Sequence, residues 1–105
     1  YKTDVLQIDG KTIGFVNYYV YNVTFLCGLI NFGKASLLHL LGIEREHRRR
    51  GYGKLLSEHA ITYCKANGAA RIMLQTKPEN TGARRLYEEL GFTHTANGFY
   101  VQNFE

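Results

Sequence analysis

The 105 residues suit one domain, spanning 1–105, built on a single hydrophobic core, and they leave no room for a second. A hydrophobic share of 45% and a charged share of 21%, with no Gly/Ser-rich or Pro-rich linker, argue against disorder. Thirteen basic residues against nine acidic give a formal charge of +4, which favours an anionic partner. Because the basic residues gather mainly in 45–54 rather than along a stripe interleaved with aromatics, a small phosphate-bearing ligand is expected ahead of nucleic acid.

Residues 5–8 and 13–21 are β-branched or aromatic runs separated by Asp9-Gly10, a dipeptide favoured in tight hairpins, so two antiparallel strands are expected. After an irregular or strand-like stretch to Lys34, the apolar run 36–43, with His39 inside it, reads as a central strand buried on both faces. A basic, glycine-containing turn at 44–53 follows. Residues 54–67 then repeat Leu56, His59, Ala60 and Tyr63 at helical spacing, with Gly68 to end the helix. Residues 71–76 read as a short strand. Asn80 or Thr81 caps a second helix with Ala83, Leu86, Tyr87 and Leu90 on one face, closed by Gly91. Residues 92–104 resemble a further hairpin turning at Asn97-Gly98. Strands framing two helices give an α/β (α+β) class: a mixed, mainly antiparallel central sheet with flanking helices.

Only Cys27 and Cys64 are present, without a CxxC pair or a His/Cys spacing suited to zinc, so two reduced thiols, no metal and a cytoplasmic setting are expected. The uncharged stretch 12–33 is long enough to span a membrane. Asn17, Asn22 and Asn31, together with tyrosines in its middle, point to buried sheet instead. No secretory signal is visible, and a first residue of Tyr1 rather than Met reads as a trimmed copy of something longer.

Two segments carry chemistry. Arg48-Arg49-Arg50-Gly51-Tyr52-Gly53 lies where a buried strand turns into a helix. Its glycines permit close approach, and successive backbone N–H groups with the helix dipole favour a pyrophosphate. Downstream stands Asn80-Thr81-Gly82-Ala83-Arg84-Arg85-Leu86-Tyr87-Glu88-Glu89-Leu90-Gly91-Phe92. Arg48-x-x-Gly51-x-Gly53 resembles the acetyl-CoA signature of the GNAT family of N-acetyltransferases. Asn80-x-x-Ala83-x-x-Leu86-Tyr87-x-x-x-Gly91-Phe92 resembles its second signature, in the same order.

The resemblance implies the acyl-CoA N-acyltransferase fold, N-terminally shortened by the family's usual first strand and two helices. It further implies transfer of acetyl from acetyl-CoA to a primary amine through a tetrahedral intermediate. Backbone at Leu41, Gly42 and Ile43 would pair with the pantetheine arm. Arg48, Arg49, Arg50, Gly51, Tyr52, Gly53 and Lys54 would hold the pyrophosphate. Asn80, with Ala83 beside it, would contact the cofactor's arm, and Tyr87 would protonate the departing thiolate.

In one branch of the family a glutamate five residues before the asparagine can serve as base, but Gln75 occupies that place. His39 is the substitute, on a face that simple alternation would share among Leu37, His39 and Leu41. A water held by Glu44 or Glu46 is the other option. Completion of the shortened fold by homodimerisation or strand exchange is a further expectation. The competing readings are a non-catalytic acetyl-CoA sensor or interaction module and, more remotely, a small basic nucleic-acid-binding module.

Overall fold

A computed structural model describes residues 2–25, 30–95 and 98–104. Cys27 and Asn97, which entered the readings of the thiols and of the last turn, lie outside them. The first hairpin forms as its turn chemistry requires: β1 (Lys2–Ile8) pairs antiparallel with β2 (Lys11–Phe25). Asp9 and Gly10 take φ of 51° and 80°, the pair of left-handed residues that matches the twist of the flanking strands. β3 (Ile30–Ile43) returns antiparallel to β2, so the stretch before Lys34 is strand from Ile30 onward. The described residues of the uncharged segment 12–33 thus lie in two sheet strands. Among the described residues, no helix is long and apolar enough to cross a membrane.

A 3₁₀ turn, Arg45–His47, leads into α1 (Tyr52–Ala66), which begins two residues before the expected Lys54. The chain continues through β4 (Ala69–Gln75), α2 (Thr81–Glu89), β5 (Thr93–His94) and β6 (Phe99–Asn103). The sheet order is β1-β2-β3-β4-β6-β5, with β3 central as expected and β3–β4 its one parallel pair among the described residues. A parallel pair needs a long crossover, and α1 provides it. Val16, Tyr18, Leu38, Ile72, Leu74 and Tyr100 of the strands close over Leu56, Ala60 and Cys64 of α1 and over Tyr87 and Phe92.

Two expectations are corrected. On α1 the buried set is Leu56, Ser57, Ala60 and Cys64, whereas His59 is exposed. The stripe is rotated because His59 Nε2 lies 2.9 Å from Asp4 Oδ2 on β1, and a ring that pairs with a carboxylate at the rim leaves the apolar face. β3, in turn, is buried on both faces only in part: Ala35, Ser36 and Leu38 are buried, but His39 is exposed and Leu40 is 52% exposed. α1 covers one face of the strand, and no described helix covers His39 and Leu40 on the other.

Candidate active site

β3 and β4 pair only at Lys34↔Ala69, Ser36↔Ile72 and Leu37↔Met73. Beyond Leu37 the two strands part, and β4 continues against β6 alone, through Leu74↔Tyr100 and Gln75↔Phe99. Residues 38–43 of β3 therefore present backbone polar groups to a gap instead of a neighbouring strand. Ile43, at the mouth of this gap, accepts a hydrogen bond at its carbonyl from Arg48 Nε, 3.1 Å away. That contact draws the basic loop over the end of β3.

The loop ends in a left-handed residue, Gly51, with φ 84° and ψ 4° as the N-cap of α1. A side chain at this φ would be strained, although nothing lies within 4 Å of where its Cβ would stand. The first bond of α1 runs from Leu55 N to Gly51 O at 3.0 Å, and no side chain caps the helix. The amides of Tyr52, Gly53 and Lys54 consequently lack intrahelical acceptors, which, with the helix dipole, makes an anion cradle. Gly53 lies deeper: a Cβ there would meet Leu86 Cδ2 at 3.3 Å and Leu41 Cδ2 at 3.9 Å, so its missing side chain lets α1 start close against Leu41 of β3 and Leu86 of α2.

These elements enclose a cleft of about 600 Å³. Of the residues expected to hold the cofactor, all line it except Arg50 and Tyr87. His47, Gly82, Leu86 and Glu89 line it as well, though none of them was expected to hold the cofactor. Leu86 and Gly82 lay inside the second motif. Glu89 lay inside the same segment, His47 carried no signal beyond its neighbours, and among the described residues His47 Nδ1 is buried without a hydrogen-bond partner. Asn80 caps α2, its Oδ1 accepting from Ala83 N at 3.2 Å. Arg50 is exposed.

Tyr87 is 5% exposed and packs edge-on against Phe92, with Tyr100 beside it. Burial pushes its hydroxyl up to about 12 from its ordinary value of 10.0, because the phenolate is the form that loses hydration.

The family of this architecture is now decided by sequence. The family model described as acetyltransferase (GNAT) family matches residues 2–92. The chain belongs to the GNAT acetyltransferase family.

Among similar proteins, the mycothiol acetyltransferase of Beutenbergia cavernae is 37% identical over 59 residues, covering 56% of this chain and 20% of that protein. The [ribosomal protein bS18]-alanine N-acetyltransferase of Salmonella typhimurium is 35% identical over 57 residues, 54% of this chain and 38% of that protein. The chain thus spans between a fifth and two fifths of the length of these relatives. Among solved structures, that of the NatC complex bound to Gag peptide and CoA superposes with a TM-score of 0.79 at 23% identity, over 96% of this chain and 69% of that one.

As a GNAT chain, the protein has its first motif at the mouth of the cleft and its second along the opposite wall. His39 needs a further correction. Tyr18 pairs with Leu38 and Asn17 with Leu40, which leaves His39 as the extra residue of a β-bulge. A bulge resets the alternation of faces. Leu41 therefore joins Leu38 on the side of the helices, near Gly53 and Leu86, while His39 turns to the opposite, open face with Leu37. There His39 Nδ1 lies 3.1 Å from Asn17 Oδ1.

The acidic candidates sit at the rim. Glu44 is tied to Lys11 by a 3.2 Å ion pair, and Glu46 is exposed. Gln75, also exposed, ends β4 against Phe99. Among the described residues, no His/Cys/Asp/Glu group could hold a metal.

Proposed function

We propose that this chain transfers an acetyl group from acetyl-CoA to a primary amine: a peptide α-amine, an amino acid or a small amine. The observation that carries the reading is the parted β3–β4 edge running into an uncapped helix start, flanked by Arg48, Arg49 and Lys54. A cofactor with an anionic pyrophosphate and an amide-bearing arm fits such a site at both ends. The amides of 52–54 receive the phosphates, and the backbone of 41–43 receives the arm. When bound, acetyl-CoA supplies an activated thioester. The remaining work falls to the chain.

An amine must be neutral to attack. A lysine-like amine of pKa about 10.4 is neutral in only one part in ~2500 at pH 7, a burden of roughly 4.6 kcal/mol, whereas an α-amine of pKa near ~8 needs only about 1.4 kcal/mol. With Gln75 where one branch of the family has a carboxylate, the chain's modest inventory of bases suits the α-amine. A backbone N–H near Leu41 would hold the developing oxyanion.

Tyr87 donates its hydroxyl proton toward the leaving sulfur from the inner end of α2, one turn beyond Ala83. At about 12, against a thiol near ~8.5, full transfer is uphill by roughly 5 kcal/mol. Its contribution is therefore a hydrogen bond to a thiolate that leaves largely on its own, and the Tyr87→Phe change should lower turnover by no more than the ~100 to 10,000-fold of general acid catalysis.

The test is calorimetric titration with acetyl-CoA followed by thiol release on adding mixed peptides and amines. Saturable binding with amine-dependent release supports the reading. Binding without release supports the sensor reading instead, and no binding by the intact protein overturns both.

A further inference from the structure

We infer that Asn17 is a positioning residue that sets the tautomer of His39, so that His39 Nε2 is the proton-accepting atom on the open face of the sheet. Three strands contribute. Asn17 on β2 donates from Nδ2 to Thr3 Oγ1 on β1 at 2.8 Å, and its Oδ1 lies 3.1 Å from His39 Nδ1 on β3. An amide oxygen only accepts, so Nδ1 carries the hydrogen and the lone pair of the neutral ring is on Nε2.

The position of the ring follows from the fold. His39 is the bulged residue of β3, two residues past Leu37, the last one paired with β4. It therefore stands at the apex of the gap that begins at the basic loop. Val16 and Tyr18 face α1 and are fully buried; Asn17, between them, points to the other face and takes His39 with it. A cofactor entering from the loop with its arm along 41–43 brings its acyl end toward this apex, so an amine reaches it over the open face. In the step assigned to His39, the proton leaves the ammonium for Nε2. The imidazolium keeps Nδ1–H on Asn17 Oδ1, whose dipole stabilises the new charge. This catalytic consequence rests on the acetyltransferase reading; the tautomer does not.

The experiment is long-range ¹H–¹⁵N correlation of imidazole nitrogens in the full chain labelled at histidine, above pH 8, with His39 assigned from a His39→Gln sample. The expected result is the Nδ1–H form in wild type and in Asn17→Asp, which keeps an acceptor, and a shift toward Nε2–H in Asn17→Leu. With peptide acceptors, Asn17→Leu should lower kcat about as far as His39→Gln, on the order of 100-fold, at unchanged KM for acetyl-CoA, while Asn17→Asp retains turnover. An Nε2–H ring in wild type, as would arise if Asn17 Nδ2 faced His39, overturns the inference. The Nδ1–H form combined with undiminished kcat in His39→Gln overturns its catalytic half. Failure of wild type to release thiol would sink the acetyltransferase reading and leave the tautomer standing.

Discussion

Replacing Asp4 should destabilise the fold in an order that depends on what takes its place. Tyr18 is fully buried on β2 and donates its hydroxyl to Asp4 Oδ2. His59 Nε2 reaches the same oxygen at 2.9 Å, and Lys2 Nζ lies 3.7 Å from Oδ1. A hydrogen bond to a carboxylate contributes about 1.5–3 kcal/mol, while the two rim pairs, on side chains about half exposed, contribute ~0–1 kcal/mol each. In Asp4→Leu the Tyr18 hydroxyl is left buried without an acceptor, so a loss of roughly 2–3 kcal/mol is expected. Asp4→Asn keeps an acceptor and should lose about 1 kcal/mol. Adding Tyr18→Phe to Asp4→Leu removes the stranded hydroxyl and should restore about 1 kcal/mol or more.

The same site sets a pH dependence. The Asp4 carboxyl is held below its ordinary 3.8, above all by the Tyr18 hydroxyl; burial opposes this as the next largest effect, and His59 and Lys2 add smaller pulls downward. A folded-state value below the unfolded one means that the contribution is complete above about pH 4 and is lost as pH falls through the lowered folded value. Urea denaturation followed by circular dichroism at pH 7 and in steps toward pH 2 measures all of this. Equal stability of Asp4→Leu and Asp4→Asn at pH 7, or a wild-type advantage that grows as pH falls below about 4, would refute it.

Gly14→Ala should destabilise by about 1–3 kcal/mol, read from the same denaturation curves, because the new Cβ would lie 2.7 Å from Ile43 Cδ1 and 3.0 Å from Gly42 O. Gly51→Glu should abolish acetyl-CoA binding in calorimetry yet lower stability only by the ~1–2 kcal/mol of left-handed strain, since the space around its Cβ is open. Cys64, fully buried and with its thiol pushed up by that burial, should resist a thiol reagent in the native state and react on unfolding; rapid native labelling would contradict its placement.

Much of the sheet was legible because its signals are local. Asp9-Gly10 specifies its turn whatever surrounds it, and the two glycine-bearing motifs specify a helix start and a helix wall by chemistry that does not depend on distant neighbours. What failed was counting by twos along β3. A bulge depends on the partner strand's register, so nothing in 36–43 announces that His39 is the extra residue and that Leu41 changes sides. The rotation of α1 is a similar case. His59 reads as part of an apolar stripe until Asp4, 55 residues away, comes within reach. His47 and Glu89 became visible only when the cleft closed around them, and the packing of Tyr87 against Phe92 and Tyr100 depends on contacts that only the folded chain makes.

The brief parallel pairing of β3 with β4 bears on how the domain comes apart. Among the described residues, three register pairs join the backbone of β1-β2-β3 to that of β4-β6-β5, so the two halves of the sheet adhere chiefly through the side chains of α1 and the core. Such a seam is where sub-global opening begins. A molecule laid along 38–43 and anchored on α1 would act as a splint across it, merging two weakly coupled folding units into one. Amide exchange in β4 and β6, which need never touch that molecule, should then slow together with that in β3.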